Sequence, residues 1–319
     1  PTFGTAVAAT TFDPDMLSGW NRRPYSWQGS VQLQQQLANN IALNVGYFRT
    51  WFGQQRFTVN RAVGTVGVDE FCITAPNDSR LGDYSNRQIC GLYDAKRVAA
   101  PDNFATLMSN YGDYSEVSNF VDIGVQARFG KGGLIQGGLS TGQTVIDQCD
   151  LVSDLSVPLN VPTYNLQPSG QGSRTNKDFC RTVNPWIGQT QFKAAVNYPL
   201  AYGVRVSGTL QNLPGLPVAA IQNITGAATN LGRGLTTGST NVMVMVPYTE
   251  FLDRLTQLDM RFSKSIQLGR FKMEGQFDIY NAMNANTTLQ VNPTYGASWR
   301  RPLAILGARL LKFGAQIDF

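Results

Sequence analysis

Polar and apolar residues alternate with a period of two along much of this chain. The first long example lies between residues 25 and 37. One set of alternate positions there is apolar or small (Trp27, Gly29, Val31, Leu33, Leu37), and the other is polar (Gln28, Ser30, Gln32, Gln34, Gln36). Such alternation predicts a β-strand, because successive side chains of a strand point to opposite faces of the sheet. Five consecutive polar residues on one face suit a water-filled barrel lumen better than the core of a soluble sheet.

The same alternation predicts nine spanning strands. They fall near residues 25–37, 41–51, 117–129, 134–146, 186–198, 204–211, 257–263, 271–279 and 310–319. In the last strand the phase shifts near Leu310-Leu311, which we interpret as a β-bulge.

The connections between these strands alternate strictly between short and long. The short ones lie at residues 38–40, 130–133, 199–202 and 267–270, and the long ones at 52–115, 147–183, 214–254 and 285–301. Outer-membrane barrels have short periplasmic turns and longer extracellular loops. The sequence therefore predicts an all-β fold, a transmembrane antiparallel β-barrel, in the bacterial outer membrane and in contact with its lipid.

Aromatic residues recur near the predicted strand ends. Trp27, Trp51, Trp186 and Trp299 are expected at the extracellular end, and Tyr198 near a periplasmic turn. Rings with an apolar body and a polar tip suit the two headgroup levels, so we expect these residues to belong to the aromatic girdles.

The strand count is odd, whereas single-chain bacterial barrels have even counts. Either a strand near Phe3–Thr11 has been missed or, as we favour, residues 1–319 form one segment of a larger barrel that ends at the native C-terminus. Unpaired strand edges are very costly in lipid, so we expect the remaining barrel strands to lie upstream.

Composition argues against catalysis. The chain contains no histidine, which excludes Ser-His-Asp and Cys-His nucleophilic sites, HExxH metal sites and zinc sites that use histidine. No phosphate-binding glycine motif is present, and the net charge of +5 is scattered without a basic block. Hydrophobic residues make up 42% and charged residues 15%, and no apolar run is long enough for a membrane helix. We therefore expect no enzyme activity, no cofactor, no metal and no nucleic-acid partner.

Four cysteines allow three disulfide pairings. We favour Cys72–Cys90 and Cys149–Cys180, because each pair then closes within one predicted loop. Paired cysteines imply an oxidising compartment such as the periplasm. The alternative is four buried free thiols.

Several motifs together resemble one family. Phe313-Gly314-Ala315-Gln316-Ile317-Asp318-Phe319 looks like the terminal strand of outer-membrane proteins, in which alternate apolar residues and a final aromatic (here Phe313, Ile317, Phe319) resemble the signal read by the barrel assembly machinery. Residues 277–284 (FDIYNAMN) resemble the D-x-x-N-x-x-N strand of TonB-dependent receptors. Five further stretches resemble the subgroup with a carboxypeptidase-regulatory-like domain: residues 22–27, 46–49, 71–76, 89–93 and 295–309.

The resemblance implies a barrel of about 22 strands around a plug domain, with substrate uptake energised through TonB. Neither the plug nor a TonB-contacting segment is recognisable in this sequence, and no substrate ligand can be assigned. We expect a polar lumen that includes Arg205, Gln211, Asp259, Arg261, Lys272, Glu274 and Asp278, either facing a plug or merely pairing with one another. The alternatives are a passive porin, or a structural barrel whose loops contact partners at the cell surface. In the latter, the apolar runs Val218–Ile224 and Val242–Val246 would extend a hairpin above the membrane.

Overall fold

The structure is a computed structural model that describes residues 10–98, 102–153 and 178–318. The strands in these ranges are β1 (Thr10–Phe12), β2 (Tyr25–Ala38), β3 (Ile41–Gly53), β4 (Arg56–Asn60), β5 (Val68–Thr74), β6 (Gln88–Ala95), β7 (Asn103–Leu107), β8 (Ser115–Phe129), β9 (Gly133–Asp147), β10 (Arg181–Asn184), β11 (Gln191–Pro199), β12 (Val204–Leu213), β13 (Ile221–Thr225), β14 (Ser239–Met243), β15 (Leu255–Leu268), β16 (Phe271–Tyr280), β17 (Thr288–Val291), β18 (Pro302–Ile305) and β19 (Leu310–Asp318). The helices are α1 (Pro14–Leu17), α2 (Ala62–Val66), α3 (Cys149–Ser153) and α4 (Trp186–Gln189), with short 3-10 turns at Ser79–Tyr84, Met108–Asn110, Ala201–Gly203 and Gly226–Ala228.

One large antiparallel sheet contains the nine predicted strands in sequence order. Its path is β19-β16-β15-β12-β11-β9-β8-β3-β2, and β10 pairs with β9 beside that path. The predicted all-β class with a large antiparallel sheet is confirmed. Among the described residues β2 and β19 end the path, so closure and total strand number remain predictions.

Short turns join the strands at one end of the sheet, which we call the turn end. Asn39-Asn40 connects β2 to β3, residues 130–132 connect β8 to β9, and Gly269-Arg270 connects β15 to β16. Gly130, Gly132 and Gly269 have positive φ, a conformation that glycine adopts without steric penalty. The long connections emerge at the opposite end, the loop end, as predicted.

The register places most polar residues of the nine strands on one face, the polar face, and most large apolar residues on the other, the apolar face. Gln32 of β2 pairs with Gly46, which pairs with Asp122 of β8, which pairs with Ser140 of β9. Side chains of directly paired residues point to the same side of a sheet. Large residues of the apolar face are exposed: Val31, Leu33, Ile123, Val125, Ile135, Leu139, Phe192, Val196, Phe262, Ile266, Phe313 and Ile317.

Two local expectations about the strands are wrong. Trp186 belongs to the short helix α4, so its strand begins five residues later, at Gln191. Strand β19 pairs with β16 in unbroken register from Leu310, without the expected bulge; a register shift occurs instead in β2, between Gln36 and Ala38.

Near the N-terminus, Thr10–Phe12 forms β1, which pairs in parallel with β7 in a separate three-stranded sheet β1-β7-β4. This segment therefore adds no strand to the large sheet. The rest of the stretch in which we considered a missed strand, residues 3–9, lies outside the described residues.

The long connections fold together into a cap at the loop end. Its main hydrophobic core draws on the connections after β3, β9, β12 and β16 and includes Phe71, Leu81, Ile89, Phe179, Val218, Ile224, Val242, Val244 and Trp299. Two hairpins, β5–β6 and β13–β14, lie within these connections. Segments with no strand partner in the main sheet thus bury their apolar side chains against one another.

Both predicted disulfides are present. Cys72–Cys90 links β5 to β6, and Cys149–Cys180 closes the connection between β9 and β10. The predicted hairpin from residues 218–224 and 242–246 also forms, as β13–β14. Its residues Val218, Val242 and Val244 are fully buried inside the cap, so these apolar side chains are not free to contact a partner at the cell surface.

Trp299 is a buried and hydrogen-bonded residue in the core of the cap. It is 3% exposed, and its indole Nε1 donates to the carbonyl oxygen of Ala219 at 2.8 Å. The guanidinium groups of Arg300 and Arg80 lie 4.5 and 5.2 Å from its ring centroid. An enclosed side chain does not reach lipid, so the prediction that Trp299 belongs to the girdle is wrong.

Replacing this side chain tests whether the cap is one cooperative unit. Trp299→Ala is expected to destabilise the cap by about 3–5 kcal/mol, because it removes a buried indole and its packing. Hydrogen exchange should then accelerate together in residues 71–75, 218–224 and 242–245, and remain unchanged in β15 and β16. Trp20→Ala, at a position 96% exposed, is the matched control and should alter neither region. Acceleration confined to residues near 299 would contradict a shared core.

Candidate functional site

The seven polar residues predicted to line a lumen lie on the polar face of three neighbouring strands. Arg205 and Gln211 are on β12, Asp259 and Arg261 on β15, and Lys272, Glu274 and Asp278 on β16. The pairs Gln211–Gln257, Arg261–Asp278 and Arg205–Ser263 fix this common orientation. The register therefore assembles one charged surface from residues up to 73 positions apart in sequence, counted from Arg205 to Asp278.

The polar face is concave. A cavity of about 620 Å³ is lined by polar-face residues from six consecutive strands of the sheet: Asn44, Gln126, Gln136, Lys193, Gln211 and Asp259. A second cavity of about 490 Å³ continues it toward β2 and includes Gln32, Gln34 and Asp122. Since one surface encloses space across so many strands, the sheet curves around its polar side.

On β12, β15 and β16 the polar groups are largely satisfied by one another. Arg261 donates to both oxygens of Asp278, at 2.5 and 3.0 Å. Gln257 accepts from Gln211 at 3.1 Å and donates to Asp259 at 2.9 Å. Of the two expectations for these residues, contact with a plug or pairing with one another, these hydrogen bonds correspond to the second.

Beside it, β2, β3, β8 and β9 present uncharged amides. The side chains of Gln32, Gln34, Asn44, Gln126 and Gln136 make no hydrogen bond within the described part of the chain. Each carries both donors and acceptors. This half of the concave surface is therefore free to bind water or a polar partner.

Aromatic residues on the polar face were missed by the sequence reasoning. Phe48 and Phe120 are direct partners in register on β3 and β8, and both occupy positions of the polar set. Glycines make room for them: a Cβ on Gly46 would lie 2.8 Å from the Phe48 ring, and one on Gly142 would overlap the Phe120 ring. The sequence offered one signal, a glycine two residues before an aromatic residue in the same strand, as in Gly46 and Phe48. Glycines also occur in strands for other reasons, so this signal alone does not show where the ring points.

The D-x-x-N-x-x-N motif shapes the exit from β16. Asn281, at φ 50°, donates from Nδ2 to the carbonyl oxygens of Ala285 and Gly307, both at 2.8 Å. Asn284, at φ 53°, accepts from the backbone N–H of Arg309 at 3.1 Å. Both asparagines thus hold the connection against the start of β19, and Asp278 holds Arg261. The motif residues thus fix the backbone path between β16 and β19 and one ion pair of β15 and β16.

The other residues predicted for the aromatic girdles and the assembly signal are placed as follows. Trp27 and Trp51 are direct partners at the loop end of the apolar face, and Tyr198 stacks on Phe129 at the turn end with centroids 5.3 Å apart. Trp186 is exposed at the loop end. Phe313 and Ile317 are exposed on the apolar face, while Phe319, the third residue of the predicted assembly signal, lies outside the described residues.

Ion pairs join separate loops of the cap. Arg233 donates to Asp94 at 2.7 Å and to Asp69 at 2.9 Å, and its guanidinium lowers the pKa of the Asp69 carboxyl. The side chain and backbone N–H of Arg80, with the Tyr295 hydroxyl, hold the pKa of Asp78 well below its usual range. Both carboxylates stay ionised at neutral pH, so the cap keeps these links under physiological conditions.

Within residues 10–98, 102–153 and 178–318, no helix is both long and apolar enough to cross a membrane. The same ranges contain no group of three or more histidine, cysteine, aspartate or glutamate side chains placed to hold a metal ion.

The close approach at Gly142 gives a test of the polar face. Gly142→Ala would place a Cβ against the Phe120 ring and 2.6 Å from the Asn119 carbonyl oxygen. Because the backbone cannot withdraw as a side chain can, we expect a loss of about 1–3 kcal/mol in the free energy of unfolding, measured by urea titration in detergent. Gly275→Ala is the control, since its Cβ would meet no atom within 4 Å. Equal unfolding midpoints for the two variants would contradict this packing.

Comparison with known proteins adds little to this geometry. No protein-family model matches the chain, and no curated protein matches it either. Among solved structures it is similar to the outer membrane transporter YddB from Escherichia coli, with 11% sequence identity and a TM-score of 0.44. The similarity covers 92% of this chain and 32% of the transporter, so the chain spans about a third of that protein's length. A similarity this distant does not bear on function.

Proposed function

We propose that this chain forms part of the wall of a bacterial outer-membrane β-barrel that transports a substrate. The observation that carries the proposal is the division of one large antiparallel sheet into an exposed apolar face and a concave polar face. A soluble protein rarely exposes so large an apolar surface. Hydrocarbon would cover the apolar face, and water or a polar partner would fill the concave side. The turn end would then face the periplasm and the cap the cell exterior.

We further propose that residues 1–319 are one barrel segment and that further strands complete the wall. Support comes from β2 and β19, which have no outer neighbour among the described residues. Exposed strand edges within lipid leave backbone groups unpaired, at a cost of several kcal/mol each. Partner strands along both edges would remove that cost, and Phe313 and Ile317 would serve in recognition by the barrel assembly machinery.

The finer proposal is a TonB-dependent receptor. It rests on the ordered motifs of residues 22–27, 46–49, 71–76, 89–93, 277–284 and 295–309. In this arrangement a plug domain would occupy the concave side, with the unpaired amides of β2, β3, β8 and β9 as its contact surface. Uptake would be energised through TonB. The substrate is not identified by any residue of the site.

Labelling of introduced cysteines on intact cells tests the orientation. Thr237→Cys lies in the cap, and Lys131→Cys lies in the turn between β8 and β9. We expect a membrane-impermeant maleimide to label Thr237→Cys on intact cells and Lys131→Cys only after the outer membrane is opened. The four native cysteines are paired in disulfides and provide an unlabelled background. If only Lys131→Cys were labelled on intact cells, the protein would have the opposite orientation to the one we propose. If neither variant were labelled after the outer membrane is opened, the membrane assignment would be refuted.

Electrical recording distinguishes a receptor from a passive porin. The purified full-length protein in planar lipid bilayers is expected to show no steady open conductance, because a plug would fill the lumen. A passive porin, whose barrel has no plug, would conduct ions continuously, with a current proportional to the voltage. Stable ohmic channels from the full-length protein would therefore favour the porin and remove TonB-dependent uptake from consideration.

A further inference from the structure

One arginine breaks the pattern of the apolar face. Arg49 on β3 occupies a position of the apolar set, between Tyr47 and Trp51, and its side chain is exposed. Its orientation is confirmed by contacts: Asn119 of β8, its direct partner in register, lies on the same face and accepts from Arg49 Nη1 at 3.4 Å. Arg49 therefore lies on the surface that we propose to face lipid.

The position of Arg49 along the strand places it near the upper edge of the proposed apolar band. It lies eight residues from Ile41, where β3 begins at the turn end. With a rise of about 3.3 Å per residue and a strand tilt of about 40°, Arg49 is about 20 Å above the turn end. The apolar band of an outer-membrane barrel is about 25 Å tall. Measured from the turn end, the backbone of Arg49 is therefore about 5 Å below the upper edge of this band, one pair below Trp51 and Trp27. A long arginine side chain can extend upward over such a distance, so its guanidinium can reach the level of the lipid headgroups.

The donors of this site exceed its acceptors. Asn119 Oδ1 accepts from the Tyr47 hydroxyl at 2.8 Å as well as from Arg49. A guanidinium has five N–H donors, and Arg49 forms no ion pair and no other side-chain hydrogen bond within the described residues. The Asn119 Nδ2 donors also have no acceptor there. Gln143, the register partner of Asn119 on β9, adds a further amide on the same face. The cluster carries a positive charge and unfilled donors, which fit an anion with several oxygen acceptors.

Space for a ligand lies beside the guanidinium. Gly29 of β2 is the register partner of Arg49 on its other side, and a Cβ placed on Gly29 would meet no atom within 4 Å. The neighbouring pairs in the same two strands, Trp27 with Trp51 and Val31 with Tyr47, carry large side chains. Gly29 therefore leaves a gap in the surface beside Arg49. The aromatic rings of these two pairs and Val31 bound this gap.

We propose that Arg49, Asn119 and Tyr47 form a binding site for the phosphate group of a lipid headgroup in the outer leaflet. Arg49 supplies charge-assisted hydrogen bonds to the phosphate oxygens, which are stronger than those between neutral groups. Asn119 orients the guanidinium, and the gap at Gly29 admits the headgroup between the two tryptophans and Val31. The inference rests on the proposed membrane location, since the same residues in water would meet no lipid.

The test compares lipids retained by the full-length protein. Diphosphoryl lipid A is titrated onto delipidated protein in detergent, and bound lipid is counted by native mass spectrometry. We expect Arg49→Gln to weaken binding by about tenfold or more, the effect of losing a hydrogen bond to a charged group, and Arg49→Lys to weaken it less. Arg205→Gln removes the same charge from the polar face and should bind like the unaltered protein. Dephosphorylated lipid A should bind weakly to every form.

Three outcomes would overturn the assignment. Equal binding by the unaltered protein and Arg49→Gln would remove Arg49 from the site. Equal binding of the dephosphorylated lipid would show that phosphate is not recognised, and full displacement by millimolar inorganic phosphate would indicate a site for free anions instead. Thermal unfolding of each variant verifies its fold. Fractionation of cells tests the membrane location separately, so a protein found in the outer membrane without Arg49-dependent binding refutes only this inference.

Discussion

Backbone pairing in unbroken antiparallel ladders is the constraint on which both faces of this molecule depend. Side chains of a strand alternate with a period of two, so a slip of one residue in any ladder would exchange the polar and apolar faces of that strand and of every strand beyond it. Eight successive ladders of the large sheet keep the same parity from β2 to β19. The register shift between Gln36 and Ala38 lies at the turn end of β2, so the pairing of residues 25–36 is unaffected.

The two ends of the sheet are built differently. At the turn end, connections of a few residues hold strands together and glycines supply the positive φ values. At the loop end, the connections are long enough to form hairpins and a hydrophobic core of their own around Phe71, Val242 and Trp299. The Arg233 and Arg300 ion pairs join loops that are distant in sequence, and each disulfide closes within a single connection. The cap is thus stabilised by its own contacts as well as by the strands from which it rises.

The polar face divides into two halves with different chemistry. In one half Arg261, Asp278 and Asp259 satisfy their neighbours, while in the other Gln126 and Gln136 remain open to the cavity. Charge that is already paired contributes little to binding a partner, whereas free amides retain all their donors and acceptors. In the barrel that we propose, contacts with a plug or a substrate would therefore fall to the amide half, while Arg261 and Asp278 link neighbouring strands.

Sequence by itself determined the alternation of polarity, the nine strands, the short and long connections and the pairing of cysteines within loops. These follow from local properties: the period of the pleat, turn residues and distance along the chain. Only the tertiary structure decided the burial and the contacts of residues whose neighbours lie far away in the sequence. Trp299 stands at a position typical of a girdle, yet it is buried and contacts Arg80 and Ala219 from two other connections. The parity of the register places Phe48 and Phe120 on the polar side, where glycines on the same and adjacent strands leave space for their rings. Arg49 lies among apolar neighbours with Asn119 as its acceptor. No local pattern encodes such contacts, because each depends on how segments far apart in the chain are brought together.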